Sequence, residues 1–162
     1  MTLGVSHPRN IPTVLELAAL AAPESIYDMG CGIGTYGPLL RSAFPQALIV
    51  GMDGWEGNRH PNWSAYDWTS IRDLGAGGWI KGDLFLLVDV LEHMERPRGF
   101  RLLKLLVGQK VICTPRNWPQ GEDPDGNPYH AHKSTWSEAD FDFAHDRSDA
   151  EFVIGLTKGV MA

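Results

Sequence analysis

Hydrophobic positions along the chain follow two spacings, which predict strands alternating with helices. Continuous apolar runs are typical of strands buried on both faces of a parallel sheet, and four occur: 26–29, 47–52, 83–88 and 110–113. Apolar residues at helical spacing cover three further stretches: 11–22, 35–44 and 97–107. This order predicts an α/β domain.

The rest of the chain gives shorter signals. A brief strand is expected near 64–66, inside a stretch rich in tryptophan, and a last strand over 150–157. Thr135 and Glu138 have capping-box spacing, which predicts a helix through about His145. Gly108 is expected to end the third helix in a left-handed conformation.

A strand, a turn, a helix and a second strand over 26–53 form one βαβ unit. Its strands should be parallel, with a ligand over their carboxyl ends. Gly30, Gly32 and Gly34 follow Asp28 in the turn, where glycines permit positive φ and close approach of a ligand. Since Asp28 adds a negative charge, we expect a nucleoside-bearing ligand with a positively charged part.

The glycine pattern alone leaves alternatives open. Gly32, Gly34 and Gly37 also spell the dinucleotide fingerprint, with Asp53 at about the distance of its ribose-binding acid. In that fingerprint the first glycine directly follows the strand, whereas here an acid and another glycine intervene. A nicotinamide-dependent oxidoreductase and a glycine turn without a ligand are therefore the competing interpretations.

The run from Asp28 to Gly34 resembles motif I of the class I S-adenosylmethionine-dependent methyltransferases. Asp53 matches that family's second acid, and Asp89-Val90-Leu91-Glu92-His93 resembles its motif IV. Thr114-Pro115 comes after the predicted fifth strand and precedes five further matching positions: Asn127-Pro128-Tyr129, His132 and Trp136. The likeness spans roughly 10–157.

This resemblance implies a Rossmann-like, mostly parallel sheet with helices on both faces. The implied strand order is 3-2-1-4-5 plus a C-terminal edge strand. The family normally closes with two more strands, the last of them antiparallel, and only one is legible here. Either the edge is incomplete, or part of 141–148 is not helix.

The resemblance also implies S-adenosylmethionine as cofactor and methyl transfer to a small-molecule acceptor. Asp53 would bind the ribose, Asp67 and Trp68 the adenine, and His93 and His132 would serve in acid–base chemistry. The implied cofactor-binding set is Asp28, Gly30, Cys31, Gly32, Gly34, Asp53, Gly54, Trp55, Asp67, Trp68, Asp89 and Val90. A non-catalytic module that keeps the fold is the alternative function.

A metal is a further open question. Asp89, Glu92, His93 and either His130 or His132 resemble a pattern that some methyltransferases use to hold a divalent ion of the Mg or Mn type. The first position is Asp, shorter than the Glu of those families. The sequence leaves the metal undecided.

Composition limits the partners. With 162 residues and a formal net charge of −6, the chain is expected to form a single domain over 1–162 and to bind no nucleic acid, because phosphate binding needs clustered basic residues. No membrane-length apolar run or secretion signal is visible, so a cytoplasmic setting is expected. An uncovered sheet edge invites pairing with another subunit, so the sequence leaves a homodimer open without supporting it.

Overall fold

The computed structural model describes residues 6–122 and 126–159. Within them, seven strands form one sheet: β1 Ser25–Met29, β2 Leu48–Asp53, β3 Trp68–Ile71, β4 Ile80–Val88, β5 Leu106–Pro115, β6 Phe143–Asp146 and β7 Phe152–Thr157. Three α-helices accompany it: α1 Ile11–Ala21, α2 Tyr36–Ala43 and α3 Arg96–Leu105. The strand order is β3-β2-β1-β4-β5-β7-β6. The first five strands are parallel, and β7 pairs antiparallel with both β5 and β6.

The apolar run of β4 shows why the central strands lack alternation. Leu84, Leu86 and Val88 belong to the core cluster on the face that holds α1 and α2. Phe85 and Leu87 belong to the opposite cluster, which includes α3. Since both faces are covered from Leu84 to Val88, every position in that part of the strand is apolar. The predicted fold class and the order of the first five strands are confirmed.

The third strand lies later in the chain than predicted. Residues Pro61–Ala65 form a 3₁₀-helix, and β3 begins only at Trp68. Trp63 and Tyr66 are buried in the core beside the glycine turn. Their apolar character therefore reflects tertiary packing rather than strand pairing.

The predicted helix over 135–145 is wrong. A capping box does form, but between Ser137 and Asp140, and it begins only a short 3₁₀-helix, Glu138–Asp140. β6 follows, so the second of the two alternatives for this segment is correct. β7 is accordingly an interior strand, and the C-terminal edge is β6.

Gly108 is not a helix cap. It lies within β5, opposite an irregularity in β4 where the register shifts between Lys81 and Leu84. A Cβ atom at Gly108 would lie 2.0 Å from the carbonyl oxygen of Gly82. The glycine is therefore required by close contact between two strands.

Two features relate to the reducing, non-membrane setting expected from the sequence: the state of the cysteines and the lengths of the helices. Cys31 and Cys113 are buried free thiols, and burial raises the pKa of each well above its usual range. Neither thiol is therefore poised as a nucleophile. Among the described residues, every helix is too short or too polar to cross a bilayer.

Candidate active site

A cavity of about 540 Å³ opens where the carboxyl ends of the parallel strands meet. It lies beside β1 and β4, the point at which the strand order reverses, and open α/β sheets bind ligands in this crevice. Ten of the residues predicted from sequence line it: Gly30, Cys31, Gly32, Asp53, Gly54, Trp55, Asp89, Val90, His93 and His132.

The glycine turn forms the floor of this cavity. Gly30 has φ +73°, and a Cβ there would lie 2.6 Å from Cγ2 of Val90. The amides of Gly30 and Cys31 donate to the carbonyl of Met52 at 2.7 and 2.9 Å. The bare turn is thereby held against the ends of both neighbouring strands.

Asp53 connects the turn to the segment after β2. Its carboxylate accepts hydrogen bonds from the amides of Gly32 and Trp55, both at 2.8 Å, and from the Asn58 side chain at 3.1 Å. Burial raises its pKa. A carboxylate offers about four acceptor sites, so Asp53 retains one for a ligand hydroxyl.

Two predicted residues support the turn from below rather than lining the cavity. Asp28 is 2% exposed and accepts a hydrogen bond from the Tyr66 hydroxyl. Gly34, with φ +77°, packs against Trp63, whose Nε1 donates to the carbonyl of Gly32 at 2.9 Å. Their contribution to a ligand site is therefore indirect.

Asp67 and Trp68 are not brought to the cavity, which corrects the prediction for these two positions. Because β3 starts at Trp68, both lie at its amino end, away from the carboxyl ends that form the cavity. Asp67 accepts hydrogen bonds from the Ile49 amide at 2.8 Å and from Arg41 at 2.6 Å. Trp68 is 73% exposed.

Asp73 and Leu74 occupy the position expected for that pair, just after β3, and both line the cavity. The Asp73 carboxylate accepts from Arg98 and from the Gly75 amide. The acid beside an apolar residue was a visible signal in the sequence. The predicted strand near 64–66 is followed by Asp67 and Trp68, whereas β3 ends at Ile71 and is followed by Asp73 and Leu74.

The two predicted histidines lie together on one wall of the cavity. The His93 and His132 rings are 4.7 Å apart between centroids, edge to face. Burial, followed by the charge of His132, lowers the pKa of His93 to about 4. Burial also lowers the pKa of His132. Both imidazoles are therefore neutral near pH 7.

Glu92 adjoins this pair. One carboxylate oxygen, Oε2, accepts from the Thr114 hydroxyl at 3.0 Å, while Oε1 is buried without a hydrogen-bond partner. Burial, followed by the charge of Asp89, raises the pKa of Glu92 well above its usual range. Ligand-capable atoms of Glu92, His93 and His132 all lie within 4.8 Å of one another.

Asp89 does not belong to that cluster. It has φ +53°, and its carboxylate accepts hydrogen bonds from the Ser6 side chain and the His7 backbone. Burial raises its pKa to about 6. The four-residue metal pattern considered from sequence is thus reduced in space to three residues, with His132 rather than His130 as the later histidine.

Aromatic side chains from distant segments complete the cavity lining. His7 lies against Trp118 and Phe152, with ring centroids 6.5 and 5.8 Å apart. Tyr129, one of the positions that resemble the family, packs so closely on Gly54 that a Cβ there would lie 2.9 Å from the ring. The contacts of His7 are non-local, so no local pattern in the sequence indicates them.

Acids outnumber basic side chains in the cavity lining. Besides the histidines, its ionisable groups are five carboxylic acids against two basic side chains: Asp53, Asp73, Asp89, Glu92 and Glu95 against Arg98 and Lys133. Asp73 is paired with Arg98, and burial raises the pKa of Glu92 well above its usual range, so the net negative charge of the lining is modest. Its sign favours a cation over a polyanion such as nucleic acid.

Solved structures with the same fold include methyltransferases. Human N-acetylserotonin methyltransferase in complex with SAM matches with a TM-score of 0.60 and 19% identity, over 93% of this chain and 52% of that one. An O-methyltransferase family protein from Burkholderia thailandensis gives 0.59 and 17%, over 94% and 56%. The N-terminal domain of EvdMO1 with SAH bound gives 0.62 and 14%, over 95% and 82%.

These matches confirm the family resemblance at the level of the fold. The chain spans little more than half the length of the first two proteins. No family model and no curated protein sequence matches the chain.

Proposed function

We propose that residues 1–162 form a single S-adenosylmethionine-dependent methyltransferase domain acting on a small-molecule acceptor. The observation that carries the proposal is the anionic cavity over the glycine turn, at the reversal point of the sheet. S-adenosylmethionine combines a nucleoside with a cationic sulfonium and an ammonium group, and the lining has groups suited to each part.

The nucleoside end fits the cavity next to β2 and β3. The free acceptor site of Asp53 suits one ribose hydroxyl, and Trp55 beside it offers an apolar surface. Asp73 and Leu74 suit the adenine, the acid as hydrogen-bond acceptor and the leucine as packing surface. The open backbone at Gly30 and Gly32 leaves room for the methionine end.

The cofactor supplies an electrophilic methyl group. The acceptor atom bonds to that carbon as the carbon–sulfur bond breaks, which yields a methylated product and S-adenosylhomocysteine. The protein has to align the two reactants, exclude water and accommodate one proton if the acceptor is a hydroxyl or an amine. Trp118 and Tyr129 line the cavity, and their rings supply apolar surface that disfavours water beside the reactants.

His93 and His132 face the part of the cavity left for the acceptor. As neutral rings, they can accept a hydrogen bond from an acceptor hydroxyl and thereby orient it. With a pKa of about 4, His93 is a poor final proton acceptor. We therefore assign it to orientation, and the weaker burial of the His132 ring makes His132 the better proton acceptor of the two.

The acceptor class follows from size and from the neighbours. A cavity of about 540 Å³ shared with a cofactor leaves space for a small molecule. Structural neighbours named for their acceptors include N-acetylserotonin methyltransferase and mitomycin 7-O-methyltransferase. An oxygen acceptor is the corresponding proposal here.

Calorimetric titration with S-adenosylhomocysteine tests the cofactor assignment. We expect a dissociation constant on the order of micromolar for the wild type, weakened about tenfold or more in Asp53→Ala because a buried hydrogen bond to a charged group is lost. Asp142→Asn, an exposed acid paired with Lys158, is the control and should bind normally. Equal affinity of Asp53→Ala and the wild type would contradict the assignment.

Turnover separates an enzyme from a non-catalytic binding module. Incubation with methyl-labelled cofactor and a panel of hydroxyl-bearing small molecules should give labelled product together with S-adenosylhomocysteine. Tight cofactor binding without product across a broad panel would favour the binding module instead.

A further inference from the structure

Three residues of the cavity lining carry a buried polar atom without a partner in the described part of the chain: Asn58, which lies beside Asp53, and the adjacent pair Glu92 and His93. Glu92 is 1% exposed, and its Oε1 accepts no hydrogen bond; the same is true of Nδ1 of His93. Buried polar atoms are nearly always paired, because an unpaired one costs free energy. Neighbouring atoms of this kind therefore point to a missing common partner.

The contacts of the two rings leave one nitrogen of each imidazole without a partner. Nδ1 of His132 contacts the backbone carbonyl of Trp118, and since a carbonyl can only accept, Nδ1 carries the proton. Nε2 of the neutral His132 ring is then a bare lone pair. Nδ1 of His93 is buried and unpartnered. A backbone carbonyl that fixes the tautomer, as that of Trp118 does for His132, is typical behind metal-bound histidines.

We propose that Glu92, His93 and His132 form a binding site for a divalent transition-metal ion. One carboxylate and two imidazoles are a common ligand set for catalytic zinc and for non-haem iron, with further positions left open. Imidazole ligands favour ions such as Zn²⁺, Fe²⁺ or Co²⁺ over Mg²⁺ or Ca²⁺, which prefer oxygen.

The spacing of the three side chains is compatible with coordination. Their ligand-capable atoms lie within 4.8 Å of one another. Bonds of about 2.1 Å place neighbouring ligand atoms about 3 to 3.5 Å apart, so small side-chain rotations suffice to close the site. Thr114 holds the second oxygen of Glu92 and orients the carboxylate.

The site consists of these three residues only, within the described chain. Asp89, next along the motif, is engaged by Ser6 and His7, and His130 lies outside the group that converges. His130 and His132 both line the cavity, but only His132 is predicted to be needed for metal binding.

The position of the ion relates it to the acceptor. All three ligands line the cavity, so the open coordination positions face the space assigned to the acceptor. A metal there would bind an acceptor hydroxyl and lower its pKa. Because the ion would occupy the lone pair of His132, the metal-bound hydroxyl would release its proton to water, and His132 would act as proton acceptor only in the metal-free site. This role rests on the proposed function. The metal site itself does not depend on that function.

Metal binding can be measured directly on the full chain. Protein freed of metal with a chelator is titrated with Co²⁺, followed by its visible absorption, and then with Zn²⁺ as competitor. We expect saturation at a single equivalent, with Zn²⁺ displacing Co²⁺. Glu92→Gln keeps the volume of the side chain and a partner for Thr114, and should weaken binding about tenfold or more. His132→Ala should do the same.

The controls distinguish this site from other causes. His130→Ala, in the same cavity, and His145→Ala, on the exposed strand β6, should bind Co²⁺ like the wild type. Unsaturable binding by the wild type, or unchanged affinity in Glu92→Gln, would overturn the proposal. S-adenosylhomocysteine affinity measured on the same samples reports on folding and on the cofactor site separately. Normal S-adenosylhomocysteine binding without saturable Co²⁺ binding by the wild type would mean that the metal proposal fails. Saturable Co²⁺ binding without S-adenosylhomocysteine binding would mean that the cofactor proposal fails.

Discussion

The Tyr66 hydroxyl donates a 2.5 Å hydrogen bond to the Asp28 carboxylate, directly beneath the glycine turn. Burial raises the pKa of Asp28 to about 7, although the Tyr66 hydrogen bond acts in the opposite direction. The support of the site therefore contains a carboxyl group that titrates near neutral pH.

This pair predicts a pH-dependent stability. The folded state holds the Asp28 proton up to about pH 7, whereas the unfolded chain releases it near pH 4. Between these values the folded state binds more protons, so the free energy of unfolding should fall as pH rises, by at most about 4 kcal/mol from this group. Asp28→Asn, which keeps an acceptor for Tyr66, should reduce that fall.

Urea unfolding of both proteins from pH 4.5 to pH 8 measures the effect. Other buried acids titrate in the same direction, so the informative quantity is the difference between the two proteins. That difference should grow in favour of Asp28→Asn as pH rises and level off above about pH 7. A difference independent of pH would show that Asp28 is charged throughout.

Asp73 and Asp67 provide a matched test of the adenine end. Asp73 lines the cavity, whereas Asp67 lies at the opposite end of β3. Asp73→Ala should weaken S-adenosylhomocysteine binding about 5- to 30-fold, the loss of one or two hydrogen bonds. Asp67→Ala should leave affinity unchanged and lower the melting temperature by a few degrees, because the Ile49 amide and Arg41 lose their acceptor. Calorimetry and thermal unfolding on each variant give both quantities, and the reverse pattern would restore the original prediction for Asp67.

Gly108 should be intolerant of any side chain. Its added Cβ would lie 2.0 Å from the Gly82 carbonyl oxygen, a backbone atom that cannot move without distorting β4. Gly108→Ala should cost about 2 kcal/mol or more in the free energy of unfolding. Gly78→Ala, where nothing lies within 4 Å, is the control and should change stability little. Equal urea midpoints for the two variants would mean that β4 and β5 are less closely paired.

Much of the fold could be predicted because its signals are local. The apolar runs that became β1, β2, β4 and β5 are continuous since both faces of the sheet are covered, as the division of β4 between two core clusters shows. Prolines near the start of α1 and α3 and the glycine turn marked the element boundaries.

The errors arose where distant contacts decide the structure. Trp63 and Tyr66 are buried against the glycine turn. Buried aromatic residues are also typical of strands, so the sequence favoured a strand at these positions. β6 forms because Phe143 packs over Gly155 of β7, a pairing that no local pattern reveals. The capping box at Ser137 was a real signal, but it marks the start of one short turn and does not specify how far a helix continues.

The site was predictable where the motif residues follow strand ends and unpredictable where loops return to it. Gly30, Gly32, Asp53 and His93 each follow a parallel strand and therefore meet at one edge. Ser6 and its neighbours reach the cavity only through tertiary contacts such as the hydrogen bond to Asp89.

A crystal structure of the protein with S-adenosylhomocysteine tests the central claim most directly. We predict the adenosine between Asp53 and Asp73, with its sulfur near Gly30 and open toward His93 and His132. A cavity that stays closed by the protein's own side chains at saturating ligand, or adenosine bound elsewhere on the surface, would contradict the account.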